Sequence, residues 1–405
     1  MLIALETLLA ASISVIAWCY LGYPIYLWVS TRLQGQASEI VPVGDLPGVS
    51  LIISAYNESA VIQKKLDNAA NLSYPQELLE IIVVSDASDD GTDEIVRDFG
   101  KREVRLCRQD QRQGKTAGLT EHVPSAKHEL LLFTDANAIF EEQAIGNLVR
   151  HFIDPEVGYV VGQQKYLSGE VGDAGNSESL YWKYETWIKK QESRIDSVVG
   201  GDGAIYATRK SLFQPLRVDD INDFVNPLQI IAKGHKGVYE PEAICFEHAA
   251  GSFHGEFQRK IRIVNRSIRA TFRVPTVLNP FRTGLFAFHL FSHKLVRWLT
   301  SFFMVTAFAS NVAICLLTDA VGFRFLLAMQ LIFYGLAACG FSRFARNFRC
   351  ISFPFYFCLA NLAAGIGVAT YIMGHKYISW SPDRTAVQEG PLASNSIQGS
   401  DDLRS

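Results

Sequence analysis

This chain of 405 residues predicts an α/β domain of alternating strands and helices combined with α-helical transmembrane segments. Three observations carry that expectation. Short β-branched apolar runs at 49–54 (VSLIIS), 80–85 (EIIVVS) and 130–139 (LLLFTDANAI) each lead into a polar turn, the pattern of buried strands feeding helices. Four stretches, 7–29, 298–318, 325–342 and 350–374, carry no charged side chain and are long enough at 1.5 Å per residue to cross a bilayer. Carboxylates stand at two of the strand ends, Asp86 and Asp135, where open α/β sheets bind ligands.

The first apolar stretch has Trp18, Tyr20, Tyr23, Tyr26 and Trp28 among its residues and only Glu6 ahead of it, so it reads as an anchor rather than a cleaved leader. Arg32 follows the first span, Lys294 and Arg297 precede the second, and Arg343, Arg346 and Arg349 lie between the third and fourth. The excess of Lys and Arg on one side assigns that side, and the region between spans one and two, to the cytoplasm of a multi-pass inner-membrane protein. Both termini then lie outside, against which His375, Lys376 and Arg384 weigh. The expected division is an anchor at 1–32, a catalytic region at 33–250, interface helices at 251–294, three spans at 295–376 and a polar tail at 377–405, disordered by composition. The 38 basic and 41 acidic residues give a net charge of −3, which offers nucleic acid no attraction. Seven cysteines without a paired or metal-type spacing predict no disulfide framework and a reducing compartment.

In the catalytic region, the turn after 49–54 (Ala55, Tyr56, Asn57, Glu58) opens a helix expected near Ser59. Its N–H groups and positive dipole end point toward an anion above the sheet. Asp86 ends the second unit, where the carboxylate suits a base or ribose donor; an ordinary loop with a helix cap fits the same residues. Asp135 and Asn137 bring two hard oxygen donors to one strand end, which suits Mg²⁺ or Mn²⁺, although an Asp there also serves as a turn former. The cluster Asp219, Asp220, Asn222 and Asp223 reads on its own as a helix cap ahead of 224–233. The small residues Gly201 and Gly203 around Asp202 leave room for a sugar to approach the backbone, or make a plain turn. Residues 179–195 carry aromatics at helical spacing, more often a core face than a sugar platform. His289 and His293 are four apart and read as interfacial side chains.

Six motifs in order, SAYNE (54–58), SDASDDGT (85–92), RQGKTAGL (112–119), TDANA (134–138), GGDGAIYA (200–207) and INDFVNPLQIIAKG (221–234), resemble family 2 glycosyltransferases. More narrowly they resemble the membrane-integrated branch with cellulose, hyaluronan and chitooligosaccharide synthases. The resemblance implies a GT-A, Rossmann-like cytoplasmic domain flanked by spans. It implies inverting transfer from a nucleotide sugar, commonly a UDP-sugar, with a divalent metal, to a saccharide or lipid-linked saccharide acceptor in exopolysaccharide or surface polysaccharide synthesis. Carried over by position, Tyr56, Glu58, Asp86 and Lys115 hold the nucleotide, and Asp135 is the first Asp of the family's D-x-D. Asn137 stands where the second Asp is usual. Asp223 becomes the general base, Gly201, Asp202 and Gly203 receive the acceptor, and His248 is a further candidate metal ligand.

Residues 256–273 set six cations against the single acid Glu256 on an amphipathic pattern, which predicts a helix lying on anionic membrane lipids. Within it, residues 259–263 read RKIRI where polymerising relatives have Q-x-x-R-W. Arg262 keeps the diphosphate-contacting arginine, while the aromatic platform for a growing glycan is lost. Two alternatives follow: transfer of a single sugar to a polyprenyl-linked acceptor, or a non-catalytic subunit binding nucleotide or glycan.

Overall fold

A computed structural model describes residues 1–34, 46–167, 175–248, 253–342 and 344–377. Residues 35–45 and most of the expected tail fall outside these residues, as does Arg343. One eight-stranded sheet organises the catalytic domain, in the order β3-β2-β1-β4-β7-β6-β8-β5. Its strands are β1 (Val49–Ala55), β2 (Leu79–Ser85), β3 (Arg105–Arg108), β4 (Leu130–Asp135), β5 (Ile139–Phe140), β6 (Val157–Leu167), β7 (Tyr206–Arg209) and β8 (Lys236–His248). Strands β3, β2, β1 and β4 run parallel. β7 is antiparallel to both β4 and β6.

Because both faces are covered, the central strands β1, β2 and β4 are mostly apolar. Leu51, Ile53, Ile81, Val83 and Leu132 pack on one side beneath α2 (Ile62–Ala70) and α3 (Thr92–Arg97). Ile52, Ile82, Val84, Leu131 and Phe133 face the other side, with α4 (Lys115–His122) and α7 (Asn222–Ala232). Helix α2 starts at Ile62, three residues beyond the expected start. Asn57 sits in the left-handed region at φ 53°, and the chain needs a further turn before it can enter the helix.

Among the described residues, four helices are long and apolar enough to cross a membrane: α1 (Leu2–Gln34), α10 (Thr300–Leu317), α11 (Val321–Cys339) and α12 (Arg349–Ile372). Two further long helices, α6 (Gly175–Ile195) and α8 (Phe253–Arg273), tie this bundle to the sheet. Expectation and structure part over α8. Its cations serve the protein's own acids: Arg259 and Lys260 pair with Glu256 at 2.6 and 2.7 Å, Arg269 with Asp219 at 3.7 Å, and Arg273 with Asp220. Arg266 donates to the carbonyls of Val218 and Asp219, both at 3.3 Å, and of Asp220. The apolar face (Ile261, Val264, Ile268) is buried, and Val264 and Ile268 share a core with Ala364 and Val368 of α12. Gly367 permits this approach, since a Cβ there would lie 2.8 Å from the Ile261 carbonyl. An amphipathic basic pattern does not say which surface its charges answer, and here that surface is the 218–220 loop.

A composite helix α9, residues 285–298, precedes α10 and contains a π-helical segment, Leu290–Leu295. It faces a second π segment, Trp18–Gly22 in α1, with Trp18 Nε1 donating to Ser292 Oγ at 3.3 Å. His289 and His293, expected to reach toward water, are buried. His289 Nδ1 bonds the Tyr23 hydroxyl at 2.8 Å. His293 bonds Glu192 at 2.7 Å and Glu185 at 2.9 Å, both on α6. Glu192 also accepts from the Tyr23 hydroxyl at 2.6 Å and, through Oε2, from the Val199 N–H at 3.1 Å. The aromatics of α6 do face a core, with Tyr184 and Trp187 packed against Tyr23 and Leu27.

Candidate active site

The carboxyl ends of β2, β1 and β4 lie side by side. Register pairs Ala55 with Ser85 and Ser54 with Asp135, so Asp86, Tyr56 and Asp135 leave neighbouring strands at one edge. Parallel strands reverse their winding direction at β1, the place where such sheets open a ligand crevice.

Asp86 is buried and anchors the loop opposite. It accepts from Gln109 Nε2 at 2.6 Å, from the Gln113 N–H at 2.8 Å and from the Gly114 N–H at 2.9 Å. Gly114, at φ 92°, is the residue that can make this turn. Arg112 lies 3.9 Å over the Tyr56 ring and 4.0 Å from Asp86, so aromatic face, guanidinium and carboxylate share one recess. Glu58 contributes its backbone, donating to Thr92 Oγ1 at 2.8 Å, and Ser59 donates to Asp90 at 3.0 Å; these bonds lock the two strand-to-helix turns together. Ala87, at φ 57°, holds a strained conformation directly after Asp86.

Lys115 follows Gly114 and reaches the next strand, its ammonium 2.5 Å from Asp135 Oδ1. Asp223, in the first turn of α7, is the third member. A methyl group placed on Gly203 would stand 3.2 Å from Asp223 Oδ2 and 3.8 Å from Asp135 Oδ2, so the two carboxylates line one small space that glycine keeps open. The backbone fixes this arrangement, because the Gly201 N–H donates to the Asp223 carbonyl at 2.5 Å, and Gly200 turns at φ 83° to allow it. Burial raises the Asp223 pKa above the usual carboxylate range; Lys115 opposes this, and Asp202 and Asp135 add to it. Among the described residues its Oδ1 has no hydrogen-bond partner. Asp202 faces Lys189 of α6 at 3.5 Å.

Arg262 projects from α8, and burial with the positive charges of Arg266 and Arg259 lowers its pKa to about 10, a setting that favours an anion. Asn137 is exposed in the turn after β4. His248 ends β8, and its side chain lies outside the described residues. The antiparallel pairing of Ile139 with Phe246 brings that end of β8 beside the Asn137 turn.

Glu247 was not singled out from the sequence. One of its oxygens accepts from Gln164, the other has no partner among the described residues, and burial followed by the charges of Asp135 and Asp202 raises its pKa to about 8. An acid beside His248 at the end of a strand was the available signal. Lys65 of α2 was missed as well; it is fully buried, and burial lowers its pKa to about 7 against the opposing pull of Cys245, Asp135 and Glu247.

The donor set of Asp135, Asn137 and Glu247 is all oxygen, which fits a hard divalent cation. Among the described residues no three acidic, His or Cys side chains gather closely enough to enclose one unaided. A cation here would draw further ligands from a bound diphosphate.

Residues 50–215 match the family model described as glycosyl transferase family 2. Poly-beta-1,6-N-acetyl-D-glucosamine synthase of Staphylococcus epidermidis is 25% identical over 229 residues, 53% of each chain. The synthase of the same name from Staphylococcus aureus is 23% identical over 261 residues, 61% of each. This chain thus spans between half and two thirds of those relatives. In three dimensions, a mannosyltransferase of Pyrobaculum calidifontis, solved in complex with GDP-Man and Mn²⁺, superposes with a TM-score of 0.70 at 21% identity. That match covers 91% of this chain and 100% of the other, a likeness of fold.

Proposed function

We propose, because residues 50–215 match the glycosyl transferase family 2 model, that this chain is an inverting transferase of the membrane that moves a sugar from a nucleotide donor, a UDP-sugar, onto a saccharide or lipid-linked saccharide acceptor. The observation that carries this reading is the open space at Gly203, walled by Asp135 on the nucleotide side and Asp223 on the other.

Inversion needs one in-line displacement, hence a base on the face opposite the departing diphosphate. Asp223 takes that part. Its raised pKa strengthens it as a base, and its Oδ2, which faces the Gly203 space, can receive the acceptor hydroxyl proton. Tyr56, Arg112 and Asp86 hold the nucleoside, while Lys115 and Arg262 face the diphosphate. Asp135 and Asn137, with Glu247 or His248, would hold Mg²⁺ or Mn²⁺, which when bound offsets charge on the leaving diphosphate. Asp202 and its flanking glycines receive the acceptor. The catalytic domain faces the cytoplasm of an inner membrane crossed by the four long helices. The known activity of the relatives supports polysaccharide synthesis, and the loss of an aromatic at Ile263 favours addition of a single sugar.

Purified protein incubated with nucleotide sugars and membrane lipid extracts tests the reading. One donor should be consumed, and Asp223→Asn should abolish transfer while nucleotide binding persists. Transfer by Asp223→Asn at the native rate would refute the assignment of the base. A ladder of products marks a polymerase, and one addition a single transfer.

A further inference from the structure

Helix α2 presents an apolar face to the core through Ile62, Leu66 and Ala69, yet two polar residues share that side. Lys65, with no solvent exposure, donates to Thr134 Oγ1 at 3.0 Å and to the Ala138 carbonyl, and its ammonium lies 4.1 Å from the Phe140 ring centre. Asn68, one turn on, closes a two-way bond with Phe140: its Nδ2 donates to the carbonyl and its Oδ1 accepts from the N–H, both at 2.8 Å. From one face of one helix, then, positions 134, 138 and 140 are all gripped. Asp135 and Asn137 lie between them.

A buried lysine is costly to the fold when apolar side chains of similar length are available, so its retention calls for a role besides packing. We propose that Lys65 and Asn68 are positioning residues that hold the 135–139 turn in the shape needed to ligate a divalent cation. This rests on the reading of Asp135 as a metal ligand. The two residues act beneath the turn: Lys65 fixes its two shoulders through Thr134 and Ala138, and Asn68 fixes its exit into β5. With the turn released, Asp135 and Asn137 would no longer be presented together.

The test measures Mn²⁺ affinity of the full chain in detergent with UDP saturating, and UDP affinity in EDTA, for Lys65→Met, Asn68→Ala and Asp135→Ala. Lys65→Met leaves the Ala138 carbonyl and Thr134 Oγ1 without their donor and should lower the melting temperature while the chain still folds, so melting is recorded beside the affinities. Both α2 variants should bind Mn²⁺ roughly 10- to 100-fold more weakly, the loss usual when outer-sphere support of a metal site is removed. Their UDP affinity in EDTA should be unchanged. Native Mn²⁺ affinity in both variants, with Asp135→Ala impaired, overturns the inference and leaves the metal reading standing. Native affinity in Asp135→Ala overturns the metal reading and the inference with it. Equal loss of UDP binding in EDTA also overturns it, since that marks general damage. Should Lys65→Met fail to fold, Asn68→Ala carries the same comparison.

Discussion

The ammonium of Lys115 stands 2.5 Å from the Asp135 carboxylate, so without nucleotide the carboxylate proposed for the cation is neutralised by the chain itself. Donor binding has to redistribute that pair, giving Lys115 a phosphate oxygen in exchange for Asp135. Lys115→Met is expected to weaken donor binding roughly tenfold, the loss of one charge-assisted bond of about 1.5 kcal/mol. It should also tighten binding of Mn²⁺ alone, because Asp135 loses its internal partner. Calorimetric titration with donor and with metal separately checks both signs.

Gly203→Ala should keep the fold and lose transfer. Its methyl group would sit 3.2 Å from Asp223 Oδ2, inside ordinary contact distance, and would occupy the space where acceptor and donor meet. Unaltered thermal melting beside a fall in kcat is the expected pair of results.

The pH dependence of transfer should report Asp223. A base works only when unprotonated, so the rate falls as pH drops through its pKa, and burial puts that limb higher than for an ordinary aspartate. The charged groups coupled to it are Lys115, Asp202, Asp135 and Arg266. Asp202→Asn removes a negative neighbour and should move the limb to lower pH. Lys115→Met removes a positive one and should move it higher. Rate profiles of the variants under saturating donor distinguish the two directions.

Glu192→Ala should destabilise the whole protein by about 3–5 kcal/mol, the range for removing one partner of a buried charged network. Tyr23, His293 and the Val199 N–H all lose their acceptor together. Tyr23→Phe should cost about 1–3 kcal/mol through one unsatisfied buried group. Denaturant unfolding in detergent measures each.

Much of this was legible in the chain. Buried parallel strands carry near-continuous apolar runs, so β1, β2 and β4 stand out, and a carboxylate at the end of such a run is visible as a strand-end group. The four long apolar helices were bounded to within about five residues for a like reason, since an uninterrupted run without charge is conspicuous in a sequence. The antiparallel half was harder: β6 pairs with β8 through two register shifts, and no simple alternation marks it. Lys65 and Glu247 were hidden because a lone lysine on a helix or glutamate on a strand ordinarily belongs to the surface. Only the fold reveals that both point inward. The partners of α8 were equally invisible, as Asp219 and Asp220 lie about fifty residues before Arg269 and Arg273 and read as a cap.

One feature of the fold reaches further. The core beneath β1 and β4 runs without a break through α8 into Ala364 and Val368 of α12, the last of the long apolar helices. In a bilayer, such a helix leans to match its length to the hydrocarbon thickness, about 30 Å on average. A lean of α12 would drag Arg262 with it, so catalysis would respond to the acyl-chain length of the surrounding phospholipid, and turnover compared across vesicles of graded chain length would reveal it.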